Sequence, residues 1–165
     1  MKKFYLFLLF LLLNHINVCQ AELSGKLSDK IENSIIKEFF PEYTKRILYK
    51  NNSEILAIYN NDFLLGYIFS TWEIVKSLGY DRSPYEIIVG LNTNGTLSGA
   101  KLTFHTEPLF EHDINEEDLL DFVKRSKGIN ILLPMKRVNS DDPIRPDTVH
   151  RGTISSNLMH EAIFK

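Results

Sequence analysis

Cysteine is almost absent from this sequence, since the single one, Cys19, lies in the N-terminal segment 1–21. A domain that begins near Glu22 therefore can hold no disulfide bond, no cysteine-ligated iron–sulfur cluster and no c-type haem. Basic residues are not in excess either, because the formal net charge is −2. We therefore do not expect a nucleic acid or an anionic membrane surface as a partner.

A hydrophobic run of membrane-spanning length is also absent. The run Phe4–Leu13 has about half of the roughly 20 apolar residues that a membrane helix needs. It follows a basic pair and precedes a more polar stretch that ends in Ala21, which is the three-part pattern of a signal peptide. We expect residues 1–21 to be cleaved and the protein to be exported to the periplasm. Anchoring by an uncleaved leader and lipid attachment at Cys19 are the alternatives.

The rest of the chain is long enough for one domain with a substantial core, and a second domain would not fit comfortably. We divide it into residues 22–61, an N-terminal helix and the first strands, and residues 62–165, which carry the candidate site. The two parts are expected to form one globular unit.

Helical spacing of apolar residues predicts four helices. The first runs through Ile31 and Phe39, with Ser28 as its cap and Pro41 as its end. The others are predicted near 71–79, capped by Ser70 or Thr71 and ended by Gly79; near 115–127, ended by Gly128; and over 153–164, with Thr153 or Ser155 at its start.

Two pairs of apolar runs predict β-hairpins. Residues 53–59 and 63–69 flank the turn Asn61-Asp62, and residues 84–91 and 97–104 flank Asn94-Gly95, a dipeptide that favours hairpin turns. Hairpins with helices before, between and after them indicate an α+β fold, a single domain in which helices flank an antiparallel sheet.

The segment DTVHRGTISS, from Asp147 to Ser156, places polar residues at a predicted helix N-terminus. Unpaired backbone N–H groups and the positive end of the helix dipole make such a terminus suitable for phosphate. Gly152 would allow a close approach, Arg151 could pair with phosphate, and three hydroxyl groups could donate hydrogen bonds. A capped helix after a polar loop is the alternative interpretation.

Three segments together resemble a known family. They are GYIFSTWEIVKSLGY (66–80), PYEIIVGLNTNGTLSGAKLTFHTEP (84–108) and DTVHRGTISSNLMHEAI (147–163). They are similar to the FMN-binding domain in the periplasmic part of NosR/NirI-type proteins, which is related to the RnfG and NqrC subunits. The resemblance covers roughly residues 62–163, and its most distinctive part is the middle segment with its His-x-Glu-Pro loop.

The resemblance implies that FMN is held by its phosphate at the last segment. Family members form a phosphoester to the threonine of an Asp-x-x-Ser-Gly-Ala-Thr pattern, in which Asp147 matches the aspartate and Thr153 the acceptor. His150, Arg151 and Gly152 stand where Ser, Gly and Ala are usual. Covalent FMN on Thr153, non-covalent FMN with Arg151 at its phosphate, and a domain without flavin are therefore three open alternatives.

The resemblance also suggests surroundings for the flavin ring. It implies that Tyr67 and Trp72 lie near the isoalloxazine, although a core role for Trp72 is the alternative. His105 and Glu107 match the His-x-Glu-Pro loop, where a flavin contact and a plain turn are both open. Ser155 completes the candidate residues at the phosphate end.

Two other kinds of site are disfavoured. A metal site from His105 and Glu107 with His112 and Asp113 lacks a recurrent ligand spacing. A serine hydrolase built on Ser155 would lack the Gly-x-Ser-x-Gly elbow.

The sequence therefore predicts an exported electron-transfer flavoprotein, an electron carrier more than an enzyme with its own substrate. The implied partners are redox proteins associated with the membrane and, for covalent FMN, a flavin transferase. Larger family members continue into membrane helices and cysteine-rich clusters, whereas this sequence ends at Lys165, so we expect the electron partners to be separate proteins. A cofactor-free accessory or sensory binding module that retains the fold is the alternative function.

Overall fold

The computed structural model of the protein describes residues 27–49, 54–80, 82–107, 114–132 and 148–165. The predicted signal peptide lies outside these residues, as does Asp147. The described ranges contain, in chain order, α1 (Leu27–Lys30), α2 (Asn33–Phe39), β1 (Lys45–Leu48), β2 (Ile55–Asn60), β3 (Phe63–Ser70), α3 (Thr71–Val75), β4 (Tyr85–Asn92), β5 (Leu97–His105), α4 (Glu116–Lys124) and α5 (Thr153–Phe164). Among the helices described, none combines the length and the hydropathy needed to cross a membrane.

The strands form one antiparallel sheet in the order β1-β2-β3-β4-β5, so each strand pairs with its neighbours in the chain. This confirms the predicted α+β fold with an antiparallel sheet. Both predicted hairpins are present, with Asn61 at a φ of 51° in the first turn and Gly95 at 82° in the second. The N–H of Gly95 donates to the carbonyl of Asn92 at 3.0 Å, and glycine adopts the left-handed conformation that closes this loop without strain.

Strand β1 was not predicted. Its four residues, Lys45–Leu48, are all exposed, and the strand lies at the edge of the sheet beside β2. Hydrophobic alternation arises when one face of a strand is buried, so an exposed edge strand leaves no such pattern in the sequence.

Helices cover the sheet on both faces. Tyr85, Ile87 and Val89 of β4 alternate onto one face and pack in a core with residues of α4 and α5. Ile88 points to the other face, into a second core formed with β2, β3, α1 and α2. Because successive side chains of a strand point to opposite faces, one strand contributes to both cores.

The N-terminal helix differs from the prediction, because it is two helices instead of one. Glu32 between them is extended, with ψ at 143°, and Ser28 lies within α1 instead of capping the helix. The carbonyl of Ile31, released by the break, accepts a hydrogen bond from the Arg46 guanidinium at 3.2 Å. The break also lets Leu27 and Ile31 join the residues of α2 in the second core.

The third helix begins as predicted and ends earlier. Ser70 caps it by accepting a hydrogen bond from the N–H of Glu73, but the helix ends at Val75 because Lys76 takes a left-handed conformation with φ at 51°. The hydroxyl of Ser77 then donates to the carbonyl of Tyr85 at 2.6 Å and directs the chain towards β4. Gly79 is therefore not the helix stop.

Phe39 of α2 packs against the sheet where two glycines face each other. Gly90 and Gly99 are paired across β4 and β5. A Cβ atom on Gly90 would lie 2.8 Å from Cδ2 of Phe39, and one on Gly99 would overlap Cδ1 of the same ring. The two glycines therefore make the depression that holds this ring.

We predict that Gly99→Ala destabilises the domain by about 1–3 kcal/mol, because the added methyl group overpacks the Phe39 contact. Urea unfolding followed by circular dichroism measures this cost. In a Phe39→Leu background the same substitution should cost at least about 0.5 kcal/mol less, since the residues are in contact. Additive costs in the double variant would contradict the assigned contact.

Candidate functional site

Helix α5 is fixed to the sheet through its buried face, which includes Met159 and Ile163. The hydroxyl of Tyr85 on β4 donates to the carbonyl of Leu158 at 2.8 Å. These contacts hold the middle and the end of the helix in the first core. The start of α5 faces solvent at Thr153, which is exposed.

Helix α5 begins at Thr153 as predicted, but the structure gives it no side-chain cap. Gly152 occupies the N-cap position and no side chain caps the helix, so neither Thr153 nor Ser155 has that role. Glycine brings no side-chain acceptor, and Ser155 is turned into the interior at 4% exposure. The first turn therefore keeps backbone N–H groups that no side chain caps, beside the exposed Thr153.

The turn before α5 is held by its backbone conformation. The N–H of Gly152 donates to the carbonyl of Val149 at 3.0 Å. Arg151 within this turn has φ at 61°, which is the left-handed region that glycine adopts most easily. A side chain on Gly152 would press on Val149, since a Cβ atom there would lie 3.2 Å from Cγ1 of that residue. Both His150 and Arg151 are exposed.

Glu107 connects the start of α5 to two other segments. Its Oε2 accepts a hydrogen bond from the Ser155 hydroxyl at 2.6 Å, and its Oε1 accepts one from the N–H of Tyr80 at 3.1 Å. The residue is 8% exposed. A Cβ atom on Gly79 would overlap Oε1, so glycine at this position gives the carboxylate its space. One buried carboxylate therefore joins the end of β5, the segment before β4 and the first turn of α5.

The pKa of Tyr85 is perturbed near this carboxylate. Burial raises the pKa of Tyr85 well above its ordinary value, and the negative charges of Glu107 and Glu161 raise it further. The phenol therefore remains protonated in the native domain and keeps its hydrogen bond to Leu158 at alkaline pH.

His105 and Glu107 contact different elements although they are two residues apart. His105 Nε2 lies 3.1 Å from Glu116 Oε1 at the start of α4. Its Nδ1 is buried and has no hydrogen-bond partner among the described residues. The metal site weighed for this loop would also need His112 and Asp113, which lie outside the described residues.

The contacts described for Tyr67 and Trp72, the two aromatic residues expected near a flavin ring, are not with Thr153. Tyr67 on β3 contacts the ring of Tyr49 edge to face, with the ring centroids 5.3 Å apart. Trp72 is half-buried under the ammonium group of Lys76, whose Nζ lies 5.3 Å from the ring centroid. Helix α3, which carries Trp72, does pack against α5.

Exposed apolar residues near the start of α5 were missed by sequence reasoning. Tyr80 is 49% exposed and Ile154 is 54% exposed. Glu107 links the two segments, because it accepts hydrogen bonds from Tyr80 and from Ser155, the neighbour of Ile154. Leu78 is exposed on the same segment as Tyr80. Their proximity depends on a contact between residues 80, 107 and 155, which local sequence patterns cannot indicate.

A cavity of about 230 Å³ lies between α4 and the turn before α5. It separates this turn from the polar face of α4. Its lining is mostly charged or polar and consists of Asp118, Asp121, Arg125, Thr148, Val149 and His150. His150 therefore lies across this cavity from α4.

Among the proteins similar to this chain are two bacterial ones. Protein NirI of Paracoccus denitrificans (strain Pd 1222) is 28% identical over 102 residues, which covers 62% of this chain and 14% of NirI. Regulatory protein NosR of Stutzerimonas stutzeri is 22% identical over 158 residues, which covers 94% of this chain and 22% of NosR. The chain thus spans less than a quarter of either relative. No family model matches the sequence. The similarity supports a NosR/NirI-like relationship.

The left-handed turn predicts that glycine is more stable than alanine at Arg151 and less stable than alanine at its neighbour His150. Arg151→Gly should be more stable than Arg151→Ala by about 1 kcal/mol, because a residue with a Cβ atom is strained at this φ and glycine is not. Both variants lack the guanidinium group, so the loss of its contacts cancels in the comparison. Urea unfolding midpoints give the difference.

His150 provides the matched control, since it is not among the described residues with positive φ. Here the glycine variant should be less stable than the alanine variant by about 0.5–1 kcal/mol, through the greater entropy of the unfolded chain. The same sign at both positions would contradict the left-handed assignment.

The raised pKa of Tyr85 predicts a loss of stability at alkaline pH. Above about pH 10 the unfolded chain ionises this phenol while the native domain keeps it protonated, so unfolding becomes easier by up to about 1.4 kcal/mol per pH unit. Tyr85→Phe should lose this contribution, although it also lacks the hydrogen bond to Leu158. Urea unfolding of both proteins between about pH 8 and pH 11 tests this. Parallel stability profiles would show that Tyr85 does not titrate differently in the two states.

Proposed function

We propose that this domain is an exported electron-transfer flavoprotein that holds FMN at the start of α5. The observation that carries the proposal is the left-handed Arg151 directly before an uncapped helix start with Thr153 exposed. Arg151 stands where the family's attachment pattern has glycine, the residue that favours this conformation. The left-handed conformation therefore lies at the position where the pattern has its glycine, although the side chains differ.

The residues of this turn suit a phosphate group. The uncapped first turn offers N–H donors at the positive end of the helix dipole, and Arg151 adds a cation at the surface. Thr153 is exposed, so a flavin transferase could reach it. The Ser155 hydroxyl donates a hydrogen bond to Glu107, so we assign Ser155 to the support of the turn.

FMN, when bound, supplies one- or two-electron chemistry, and the domain fixes its position. Ile154 is next to Thr153 in the chain, and Tyr80 is linked to Ser155 through Glu107; both expose apolar surface that could contact the ring. Trp72 lies on a helix that packs against α5 and remains a candidate for the ring surroundings. Tyr67 and His105 also remain candidates, while their contacts are with Tyr49 and Glu116.

Export would make attachment to Thr153 useful, because a weakly bound cofactor is lost by dilution outside the cytoplasm. The signal-peptide pattern of residues 1–21 supports export. Redox proteins would then exchange electrons with the domain in the periplasm.

A cofactor-free accessory or sensory module is the second candidate. Two observations favour it: two large basic side chains, His150 and Arg151, stand in the turn, and the relative NosR is named a regulatory protein. In this case the turn would keep its conformation without a flavin.

The first test is flavin attachment after co-expression of the full chain with a flavin transferase. We predict a yellow protein that absorbs at about 450 nm. Its flavin should stay in the pellet after acid precipitation. Thr153→Ala should abolish the acid-stable flavin, whereas Thr148→Ala should retain it, since Thr148 is an exposed threonine in the same loop. Pellet fluorescence in Thr153→Ala would identify a different acceptor.

A second variant distinguishes the two candidate functions. The triple substitution His150→Ser, Arg151→Gly and Gly152→Ala restores the family pattern around Thr153. If the natural chain is colourless and the restored chain becomes yellow, the domain has lost its flavin through these three positions. If the natural chain is already yellow to the same extent, the cofactor-free module is rejected.

A further inference from the structure

We propose that Glu107 is a positioning residue for the flavin-attachment turn. It would hold the first turn of α5 on the sheet and thereby fix where Thr153 presents its hydroxyl. This inference rests on the proposed function of the site. It concerns the role of the carboxylate in the folded domain, which can be tested with or without flavin.

The geometry of the contact supports a fixed position. Both oxygens of the carboxylate are used, one by the hydroxyl of Ser155 at 2.6 Å and the other by the N–H of Tyr80 at 3.1 Å. The donors come from segments far apart in the chain, so the bonds can form only when β5, α5 and the segment before β4 are all in place. Ser155 lies two residues after Thr153, in the same turn of helix.

The surroundings of Glu107 indicate a role other than surface charge. The ion pairs found in the described part of the chain do not include this carboxylate. A buried carboxylate without a cation is costly unless it accepts hydrogen bonds, so its two donors are needed to keep it inside. Gly79, where a Cβ atom would overlap Oε1, leaves the space that this arrangement requires.

A second buried carboxylate offers a matched control. Glu86 is 7% exposed, and its oxygens accept hydrogen bonds from the hydroxyls of Ser70 at 2.7 Å and Thr103 at 3.0 Å. None of the hydrogen bonds described for this carboxylate leads to α5. Loss of Glu86 should therefore destabilise the fold without releasing the start of that helix.

The first measurement is amide hydrogen exchange of the full chain without flavin. In Glu107→Ala we expect about tenfold faster exchange at Tyr80, whose N–H loses its acceptor, and at Ser156, whose N–H donates to the Gly152 carbonyl. Glu107→Gln keeps an oxygen for Tyr80 and an amide group for Ser155, and should remain within about threefold of the natural chain. Glu86→Ala should change the exchange of Ser156 only as much as the variant's lower global stability requires.

The second measurement is acid-stable flavin after co-expression with the transferase. We expect Glu107→Ala to attach about tenfold less flavin per folded chain, with attachment restored in Glu107→Gln and unaffected in Glu86→Ala. Folded protein is quantified by circular dichroism, so poor folding of the alanine variant does not count as lost attachment.

The outcomes separate this inference from the proposed function. If no variant carries flavin but the exchange of Ser156 rises in Glu107→Ala alone, the proposed function fails while the contact of Glu107 with α5 stands. If the exchange of Ser156 is the same in Glu107→Ala and in Glu86→Ala, the positioning role is overturned. If the natural chain carries flavin and Glu107→Ala carries as much per folded chain, the positioning role is also overturned.

Discussion

The candidate site depends on the two hydrogen bonds that the carboxylate of Glu107 accepts. Helix α5 is the last element of the chain, and its buried face fixes its middle and end, but its first turn lies at the edge of the first core. Glu107 accepts the Ser155 hydroxyl there and the N–H of Tyr80 beside it. Because an unpaired carboxylate would be costly to bury, the same bonds that keep Glu107 inside also hold these segments together.

The sheet topology explains how these segments meet. The β4–β5 hairpin returns the chain to the end of the sheet where β4 began, so Glu107, just after β5, lies near Tyr80, just before β4. Tyr85 at the start of β4 then bonds to α5. Local antiparallel pairing thus brings two loops to one place, and the last helix closes over them.

Local patterns predicted the parts of the fold that local chemistry determines. The Asn94-Gly95 turn and the cap at Ser70 were predicted correctly, since each depends on neighbouring residues. The break at Glu32 and the exposed strand β1 were not predicted, because Arg46 stabilises the first from a distance and pairing with β2 defines the second. At the site, sequence indicated the turn before α5 but not Tyr80, whose relation to Ser155 passes through Glu107.

The turn before α5 holds a backbone conformation that its side chains do not favour. Arg151 holds a left-handed conformation that costs a residue with a Cβ atom about 1 kcal/mol, and the first turn lacks a side-chain cap. Departures from local preference of this kind are concentrated at functional sites, where the surrounding structure maintains them. Here Glu107 and the close packing of Gly152 on Val149 maintain the turn. Lys76 takes a similar left-handed conformation where α3 ends, so the strain at Arg151 supports the proposed ligand site only together with the exposed Thr153 and the uncapped helix start beside it.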